Sequence, residues 1–128
     1  MFGNCHTFNQ DLGNWNVSGV TNMQQTFQDC TLFNNGGSTS INNWNTSSVI
    51  TMFGMFAYAK NFNQPIGSWN VSGVTDMTLM FYFPPSPMAF NKDLSHWCVT
   101  NILSEPFGFS TGCVNWVLPK PVWGTCPP

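Results

Sequence analysis

Charged side chains are scarce in this chain of 128 residues: they make up 6% of the sequence, and arginine is absent. A typical soluble domain carries roughly a quarter charged residues. Three lysines and a formal net charge of −2 give no basic stripe that could neutralise phosphates. The composition therefore argues against a nucleic acid as partner.

Long hydrophobic runs are also missing, since no apolar stretch approaches the ~18 residues of a membrane-spanning helix. The first ten residues, MFGNCHTFNQ, have neither the basic nor the hydrophobic part of a signal peptide. We therefore expect no membrane span. Low charge density is common on extracellular surfaces and in assembly subunits, and we expect an extracellular, cell-surface or particle-surface location.

An internal repeat organises most of the chain. Trp44 and Trp69 are 25 residues apart, as are Met52 and Met77. The polar string NVS or NTS follows the tryptophan in three copies. A period between 20 and 50 residues is typical of solenoids and arrays, in which each unit buries its apolar face against its neighbours. Insertions around 34–40 and 84–87 predict surface loops at the corners of coils.

Each repeat predicts one short helix and one short strand. Met52, Met55, Phe56 and Ala59 have the spacing i, i+3, i+4, i+7 of an apolar helical face. Good N-cap residues stand just before three of the copies, namely Asn22, Thr51 and Asp76. Farther along, the alternation of Ser68, Trp69, Asn70 and Val71 predicts a strand with one buried face. The fold we predict is a repeat solenoid of leucine-rich-repeat type, with about four coils over 1–103.

Stacked coils would place equivalent aromatic residues in buried columns. We predict a structural core made of these eight positions: Trp15, Trp44, Trp69, Trp97, Phe8, Phe33, Phe62 and Phe90.

The repeat decays after Ile102, and 104–128 is rich in Cys, Pro and Trp. We interpret this segment as a non-repetitive cap, because the open end of a solenoid exposes core and strand edge. Cys98, Cys113 and Cys126 fall in or near it, and a disulfide between two of them is favoured in three alternative pairings. Cys5 and Cys30 share a slot with Ala59, which favours buried thiols over a bridge between coils.

No catalytic or metal-binding pattern rises above background. His96 with Cys98, Cys113 and Cys126 has the ligand types of a zinc site but lacks paired C-x-x-C spacing. Asp11 and Asp93 occupy the same place in two copies of the repeat, so we interpret them as part of the repeat pattern rather than as a catalytic acid/base pair. We expect no enzyme activity, no metal and no cofactor.

Three N-x-S/T sequons begin at Asn16, Asn45 and Asn70. They are candidate glycosylation sites in a eukaryotic secretory protein. Because they coincide with the predicted strand, we favour a structural role in which stacked Asn side chains hydrogen-bond along the solenoid.

The repeat M-x-x-M-F-x-x-A-x-x-F-N-Q-x-I-x-x-W-N-V-S-x-V-T-D resembles the short surface-protein repeat of BspA-like leucine-rich-repeat proteins, and it recurs over residues 1 to about 103. The resemblance implies a leucine-rich-repeat-like solenoid and an adhesive or interaction role at cell surfaces, with no enzymatic activity attached to the repeat.

Two functions of different class follow. The first is a structural or assembly protein that acts through protein–protein contacts in a larger complex, filament or particle, as a homo- or hetero-assembly. The second is an adhesin-like interaction module that uses its strand face and the loops at 34–40 and 84–87. The first coil has no cap, so we expect a protein partner at the N-terminal edge around Trp15, beside Phe2 and Phe8.

Overall fold

The computed structural model describes residues 4–85 and 87–128. Backbone hydrogen bonds join residues about one repeat apart, so that each repeat lies against the next as a layer. The layers are layer 1 (4–22), layer 2 (23–51), layer 3 (52–76), layer 4 (77–105) and layer 5 (106–128).

The predicted strand and helix in each coil are wrong, and with them the leucine-rich-repeat solenoid. The described residues contain no α-helix and no β-strand; their regular elements are two 3-10 helices, Asn35–Gly37 and Thr39–Asn43. Among these residues, parallel pairing is confined to two isolated bridges, Asn22 with Thr51 and Thr51 with Asp76. The chain is a stack of turns.

The segment 52–59, predicted as a helix, is a run of overlapping turns. The amides of Gly54, Phe56 and Tyr58 donate to carbonyls of layer 4 at 2.8 to 2.9 Å. The amides that alternate with these, from Met55, Ala57 and Ala59, each donate to the carbonyl three residues earlier in the chain. An α-helix needs every amide for its own i−4 carbonyl. Here every second amide is committed to the neighbouring layer, so a helix cannot form.

We call this arrangement a turn ribbon, and it recurs at 23–30 and 77–84. The ribbon at 106–113 has two of the same turns and accepts bonds from layer 4. The arrangement needs residues with positive φ, which a continuous right-handed helix excludes. Glycine supplies this conformation at Gly54 and Gly108, but bulky side chains also adopt it at Gln25, Tyr58 and Leu79. Such conformations cost energy in isolation, and here the bonds between layers hold them.

The residues expected as N-caps do bond the backbone. Side-chain oxygens of Asn22, Thr51 and Asp76 each accept from the amide two residues later, at 2.8, 3.3 and 2.9 Å. In each case they start a turn ribbon, which is the Asx-turn use of such a side chain.

The segment predicted as a strand is also built from turns. Trp69 and Val74 donate their amides to the carbonyls of Ile66 and Val71 at 3.1 and 3.0 Å. A strand would have used those amides in a ladder with a neighbour. The tryptophan side chain links the layers instead, since the indole N–H of Trp69 donates to the carbonyl of Ile41 at 2.9 Å.

Aromatic rings form columns through the core. Phe8, Phe33, Phe62 and Phe90 stack at centroid distances of 5.8 to 5.9 Å. A second column, Phe27, Phe56 and Phe81, stacks at 5.5 and 5.6 Å. Offset stacking at this distance is favourable beyond area burial.

Burial follows the predicted positions except in layer 1. Trp44, Trp69 and Trp97 are buried, as are Phe33, Phe62 and Phe90. The expected burial of Trp15 is wrong: this side chain is 45% exposed, because it lies at the outer end of its row. Phe8, in the same layer, is partly buried.

The C-terminal segment continues the stack as layer 5. Its ribbon carbonyls at Phe107, Phe109 and Thr111 accept from layer 4 amides at 2.8 to 3.0 Å. In this register Cys113 falls in the slot of Cys5, Cys30 and Ala59. Trp123 follows Trp97 by 26 residues, which is one repeat. The segment is therefore a fifth, divergent copy.

The insertion at 34–40 is packed rather than loose. Asn35 is completely buried, and its Oδ1 accepts from the amide of Leu12 in layer 1 at 2.7 Å. Its Nδ2 donates to the carbonyl of Ser38 at 2.9 Å. The insertion at 84–87 contains Ser86, which lies outside the described residues.

Candidate interaction surface

The cysteines of the C-terminal segment divide into one disulfide and one thiol. Cys98 and Cys126 form the disulfide, which ties layer 4 to layer 5. Cys113 is a buried thiol whose Sγ donates to the carbonyl of Phe81 at 2.9 Å. Burial raises its pKa to about 11, so it is a weak nucleophile at neutral pH. Of the three pairings left open by the sequence, this is the one the structure contains.

Cys5 and Cys30 are thiols at equivalent positions of layers 1 and 2. Cys30 is completely buried and Cys5 partly so. Burial raises the pKa of Cys30, with smaller effects from the neighbouring Cys5. Both therefore behave as core side chains.

The zinc arrangement considered from the sequence loses two of its ligands to the Cys98–Cys126 disulfide. Within residues 4–85 and 87–128, no cluster of three or more His, Cys, Asp or Glu side chains could hold a metal ion.

Asp93, Ser95 and His96 lie together on the surface beside a shallow cleft of about 270 Å³, which Gly67 and Ser68 also line. Asp93 Oδ1 accepts from the Ser95 amide at 2.9 Å and from its hydroxyl at 2.6 Å, and these bonds lower the pKa of Asp93. The serine hydroxyl is 3.3 Å from His96 Nδ1. The serine thus binds the carboxylate itself, whereas in a catalytic triad the histidine lies between the two.

Asp11 has a similar local role in layer 1. Its Oδ1 accepts from the Gly13 amide at 2.9 Å and from the Ser40 hydroxyl at 2.5 Å. The Ser40 bond is the main reason that the pKa of Asp11 is lowered.

The sequon asparagines are exposed, and their side chains accept bonds from the residue two positions farther along the chain. Asn16, Asn45 and Asn70 each accept from the amide and the hydroxyl of the serine two residues later, with hydroxyl distances of 2.6 Å. Bonding along the stack through these three side chains, which we favoured, is therefore wrong.

Another set of asparagines hydrogen-bonds from layer to layer along the stack, and the sequence interpretation missed it. We call this series the ladder. Each Oδ1 accepts from a backbone amide of the next layer, at 2.7 to 2.9 Å, in the series Asn9, Asn34, Asn63 and Asn91. The signal was present, since each of these residues directly follows one of the four column phenylalanines.

The ladder and the aromatic columns both end at layer 5. Asn91 Oδ1 accepts from the amides of Val117 and Leu118, both at 2.9 Å, and Val117 stands where the next asparagine would be. Trp116 meets Phe81 and Phe90 edge to face, with centroid distances of 5.2 and 4.8 Å. Lys120 Nζ lies 4.9 Å from the centroid of the Trp116 ring.

Most of the exposed large hydrophobic side chains of residues 4–85 and 87–128 fall in or beside layer 5. These side chains are 42% to 81% exposed. Five come from layer 5. The sixth, Leu103, belongs to layer 4 but has its backbone close to layer 5: a Cβ atom added to Gly124 would lie 3.5 Å from the Leu103 carbonyl oxygen. We call the set the end surface: Leu103, Phe107, Val114, Val117, Leu118 and Val122.

The N-terminal edge, where we expected a partner, shows the half-exposed Trp15. Phe2, which was part of that expectation, lies outside the described residues. The end surface was not foreseen, because 104–128 was interpreted as a cap, and a cap has a polar outer face.

None of the helical segments within residues 4–85 and 87–128 has the length and apolarity needed to span a bilayer. No curated protein and no solved structure matches the chain. One family model does match, over residues 1–112, and so reaches from layer 1 into the turn ribbon of layer 5. The chain belongs to the family described as Mycoplasma protein of unknown function, DUF285.

Proposed function

We propose that this chain is a non-enzymatic structural or assembly protein that acts through protein–protein contacts in a larger complex, filament or particle. The end surface is the observation that carries the proposal. Four of its six side chains are at least 75% exposed, and a concentration of exposed large apolar side chains in one part of a chain favours contact with another molecule.

The low charge of the chain supports the same role. Charged residues are 6% of the sequence, so little electrostatic repulsion opposes association. Trp15, which is half exposed in layer 1, supports a second contact at the N-terminal edge.

The Cys98–Cys126 disulfide favours a location outside the reducing cytosol. It therefore supports an extracellular, cell-surface or particle-surface site of action. The same observation, with the resemblance to BspA-like surface repeats, favours an adhesin-like module as the second candidate function.

Two of the groups that could support chemistry are engaged in local structure. Ser95 donates its hydroxyl to Asp93, and the pKa of the Cys113 thiol is raised to about 11. Neither group has the activated environment that a nucleophile needs.

Photo-crosslinking in the producing cells tests the assembly role. A benzophenone amino acid replaces Phe107 in the end surface, and after irradiation we expect covalent adducts of defined mass that contain a second polypeptide. The control places the same group at Ile50, which is 52% exposed on layer 2.

Adducts at Phe107 and none at Ile50 support the proposal. If neither position captures a polypeptide, the assembly role is wrong. To test the adhesin alternative, the purified chain is applied to intact cells at a concentration at which it is monomeric, and specific saturable binding supports that function.

A further inference from the structure

Cys5 and Cys30 occupy equivalent positions of adjacent layers, 25 residues apart in the sequence. The same position holds Ala59 in layer 3 and Pro84 in layer 4, and the third thiol, Cys113, is in layer 5. Two layers without a cysteine at this position therefore separate Cys113 from the pair. Along this column, the cysteine next to Cys30 is Cys5.

Contacts on both sides of the pair hold layers 1 and 2 in this register. Before the pair, the amide of Asn4 donates to the carbonyl of Gln28 at 2.7 Å. After it, the hydroxyl of Thr31 donates to the carbonyl of His6 at 3.2 Å. A main-chain hydrogen bond between extended segments sets them about 5 Å apart, and the two cysteines lie between the bonded positions.

The sulfur of Cys30 lies at the junction of the two layers. Its thiol donates to the carbonyl of Gln28 at 3.7 Å, and the same oxygen accepts from the Asn4 amide, next to Cys5. Burial raises the pKa of Cys30, and hydrogen bonding with the backbone and the thiol of Cys5 has smaller effects. The two cysteine side chains are therefore neighbours across the layer boundary.

The spacing of the layers suits a disulfide, which needs Cα atoms about 4.4 to 6.8 Å apart. Three residues after the cysteines, the rings of Phe8 and Phe33 stack at 5.8 Å. Packed helices would have stood about 8 to 10 Å apart, and that distance is why the sequence favoured separate thiols. Stacked turns lie closer together, and one disulfide, Cys98–Cys126, already joins two layers.

We propose that Cys5 and Cys30 are an oxidation site, at which a small disulfide such as oxidised glutathione converts the two thiols into a second bridge between layers. The proposal does not depend on the assembly role. The Cys98–Cys126 disulfide favours a location outside the reducing cytosol, where a further disulfide would persist.

The chemistry consists of two thiol–disulfide exchanges. The deprotonated sulfur of Cys5, the more exposed of the two, attacks one sulfur of oxidised glutathione, and one glutathione leaves as its thiolate. The sulfur of Cys30 loses its proton and attacks the Cys5 sulfur of this mixed disulfide, which expels the second glutathione. Two protein thiols are thus oxidised to one disulfide, the donor is reduced to two glutathione molecules, and these take up the two protons.

Peptide mapping without reduction tests the proposal on the folded chain, which carries its Cys98–Cys126 disulfide. The chain is incubated with oxidised glutathione at about pH 8, and the remaining thiols are then alkylated in denaturant before digestion. We expect the Cys5 and Cys30 peptides as one disulfide-linked pair, with Cys113 recovered as an alkylated thiol. A chain isolated with this bridge already formed gives the same pair before treatment and also supports the proposal.

Cys5→Ser removes one sulfur of the pair, and we expect Cys30 to remain a thiol throughout the incubation. Cys113→Ser is the matched control, because it removes a thiol from the same column in layer 5, and we expect the Cys5–Cys30 bridge to form as before. Circular dichroism checks that each variant is folded. If Cys5→Ser is not, Cys5→Ala replaces it.

Hydrogen exchange measures what the bridge does to layer 1. Amides of Asn4 and Phe8, which are bonded within and next to the pair, should exchange at least about tenfold more slowly once the bridge has formed, because layer 1 can no longer open separately from layer 2. Amides of Leu79 and Phe81 in layer 4 should be unchanged.

Glutathione attached to Cys5 while Cys30 stays a thiol overturns the proposal. Three unreacted thiols after prolonged incubation, or a disulfide that includes Cys113, overturn it as well. A bridge that forms without slowing exchange at Asn4 and Phe8 overturns the inference that it ties layer 1 to layer 2.

Discussion

Asn63 connects three layers through one residue. Its amide donates to Asn34 Oδ1 of layer 2 at 2.8 Å, and its own Oδ1 accepts from the amide of Asn91 in layer 4 at 2.9 Å. The ladder thus satisfies backbone amides at a corner where the chain has no sheet to pair with. Leaving a partly buried donor unsatisfied costs more than the net value of an ordinary hydrogen bond.

We predict that Asn63→Ala lowers the free energy of unfolding by about 1 to 2 kcal/mol, because the amide of Asn91 loses its acceptor. Urea unfolding followed by tryptophan fluorescence measures the change. Asn61→Ala is the control, since that side chain is exposed and the residue is held by its backbone amide. Equal losses in both variants would show that the ladder contributes no stability of its own.

Trp69 combines a buried ring with a bond between layers. The ring stacks on Trp44 at 5.9 Å, and the indole N–H donates to the Ile41 carbonyl at 2.9 Å. Phenylalanine at this position would keep most of the ring contact and lose the hydrogen bond.

We predict that Trp69→Ala costs about 3 to 5 kcal/mol of stability. Trp69→Phe should cost about 0.5 to 1.5 kcal/mol, because it removes one of two bonds to the Ile41 carbonyl, which still accepts from the Trp44 amide. Calorimetric melts of the two variants separate the ring from the hydrogen bond. A melting temperature unchanged by Trp69→Ala would contradict the core assignment.

At the scale of single residues, the period alone locates most of the core. It places the column positions of layers 2 to 4 and the backbone-capping role of Asn22, Thr51 and Asp76. It does not tell which asparagine forms the ladder, because both candidate sets recur once per repeat. The choice depends on which side chain faces the next layer, and the turns set that direction. These turns need positive φ at Tyr58 and Leu79, which the residue types at those positions do not predict.

At the scale of elements, a helical pattern of apolar residues proved compatible with a different structure. Spacing of i, i+3, i+4, i+7 is what one buried face of a helix would produce. In 52–59, Ala57 between those positions is buried as well, which a one-sided helix does not explain. The deciding factor is that alternate amides of 52–59 donate to carbonyls of the next layer. Those carbonyls are far away in the sequence, so a local pattern does not reveal them.

The Cys98–Cys126 disulfide fastens layer 5 to the rest of the molecule, and it closes a loop with a sequence separation of 28 residues. We predict that the double variant Cys98→Ser, Cys126→Ser loses about 3 kcal/mol of stability. The loosened layer should also expose Cys113.

Labelling of Cys113 by a thiol reagent at neutral pH measures this effect. In the oxidised chain the thiol is buried and its pKa is about 11, so labelling should wait for unfolding. Cys30, which is buried in layer 2, is the internal reference and should remain slow in both proteins. Rapid labelling of Cys113 in the oxidised chain would contradict its burial.

At the scale of the whole molecule, the number of layers was underestimated because layer 5 has lost the methionines and the W-N-V-S string. Two signals remained in the sequence. A cysteine stands three residues before an aromatic ring at Cys5, Cys30 and Cys113, and Trp123 follows Trp97 by one repeat. The Cys, Pro and Trp content of the segment suggested a non-repetitive cap, whereas the segment forms a further layer of turns.

A stack in which each layer bonds to its neighbours should transmit a local defect over a short distance only. The Trp116 ring makes T-shaped contacts with Phe81 and Phe90 of layer 4. Trp116→Ala therefore creates a cavity between layers 4 and 5. Amides of Leu79, Phe81 and Phe83, which donate to layer 5, report on that contact. Amides of Gln25, Phe27 and Asp29, which donate to layer 3, report on the far end.

We predict that Trp116→Ala speeds hydrogen exchange at the layer 4 amides by at least tenfold and leaves the layer 2 amides nearly unchanged under native conditions. Leu32→Ala, a change at a side chain 47% exposed on layer 2, is the control and should alter neither set. Equal acceleration at both ends would mean that the five layers open only together. The stack would then be one cooperative unit, and its stability could not be treated as a sum over neighbouring layers.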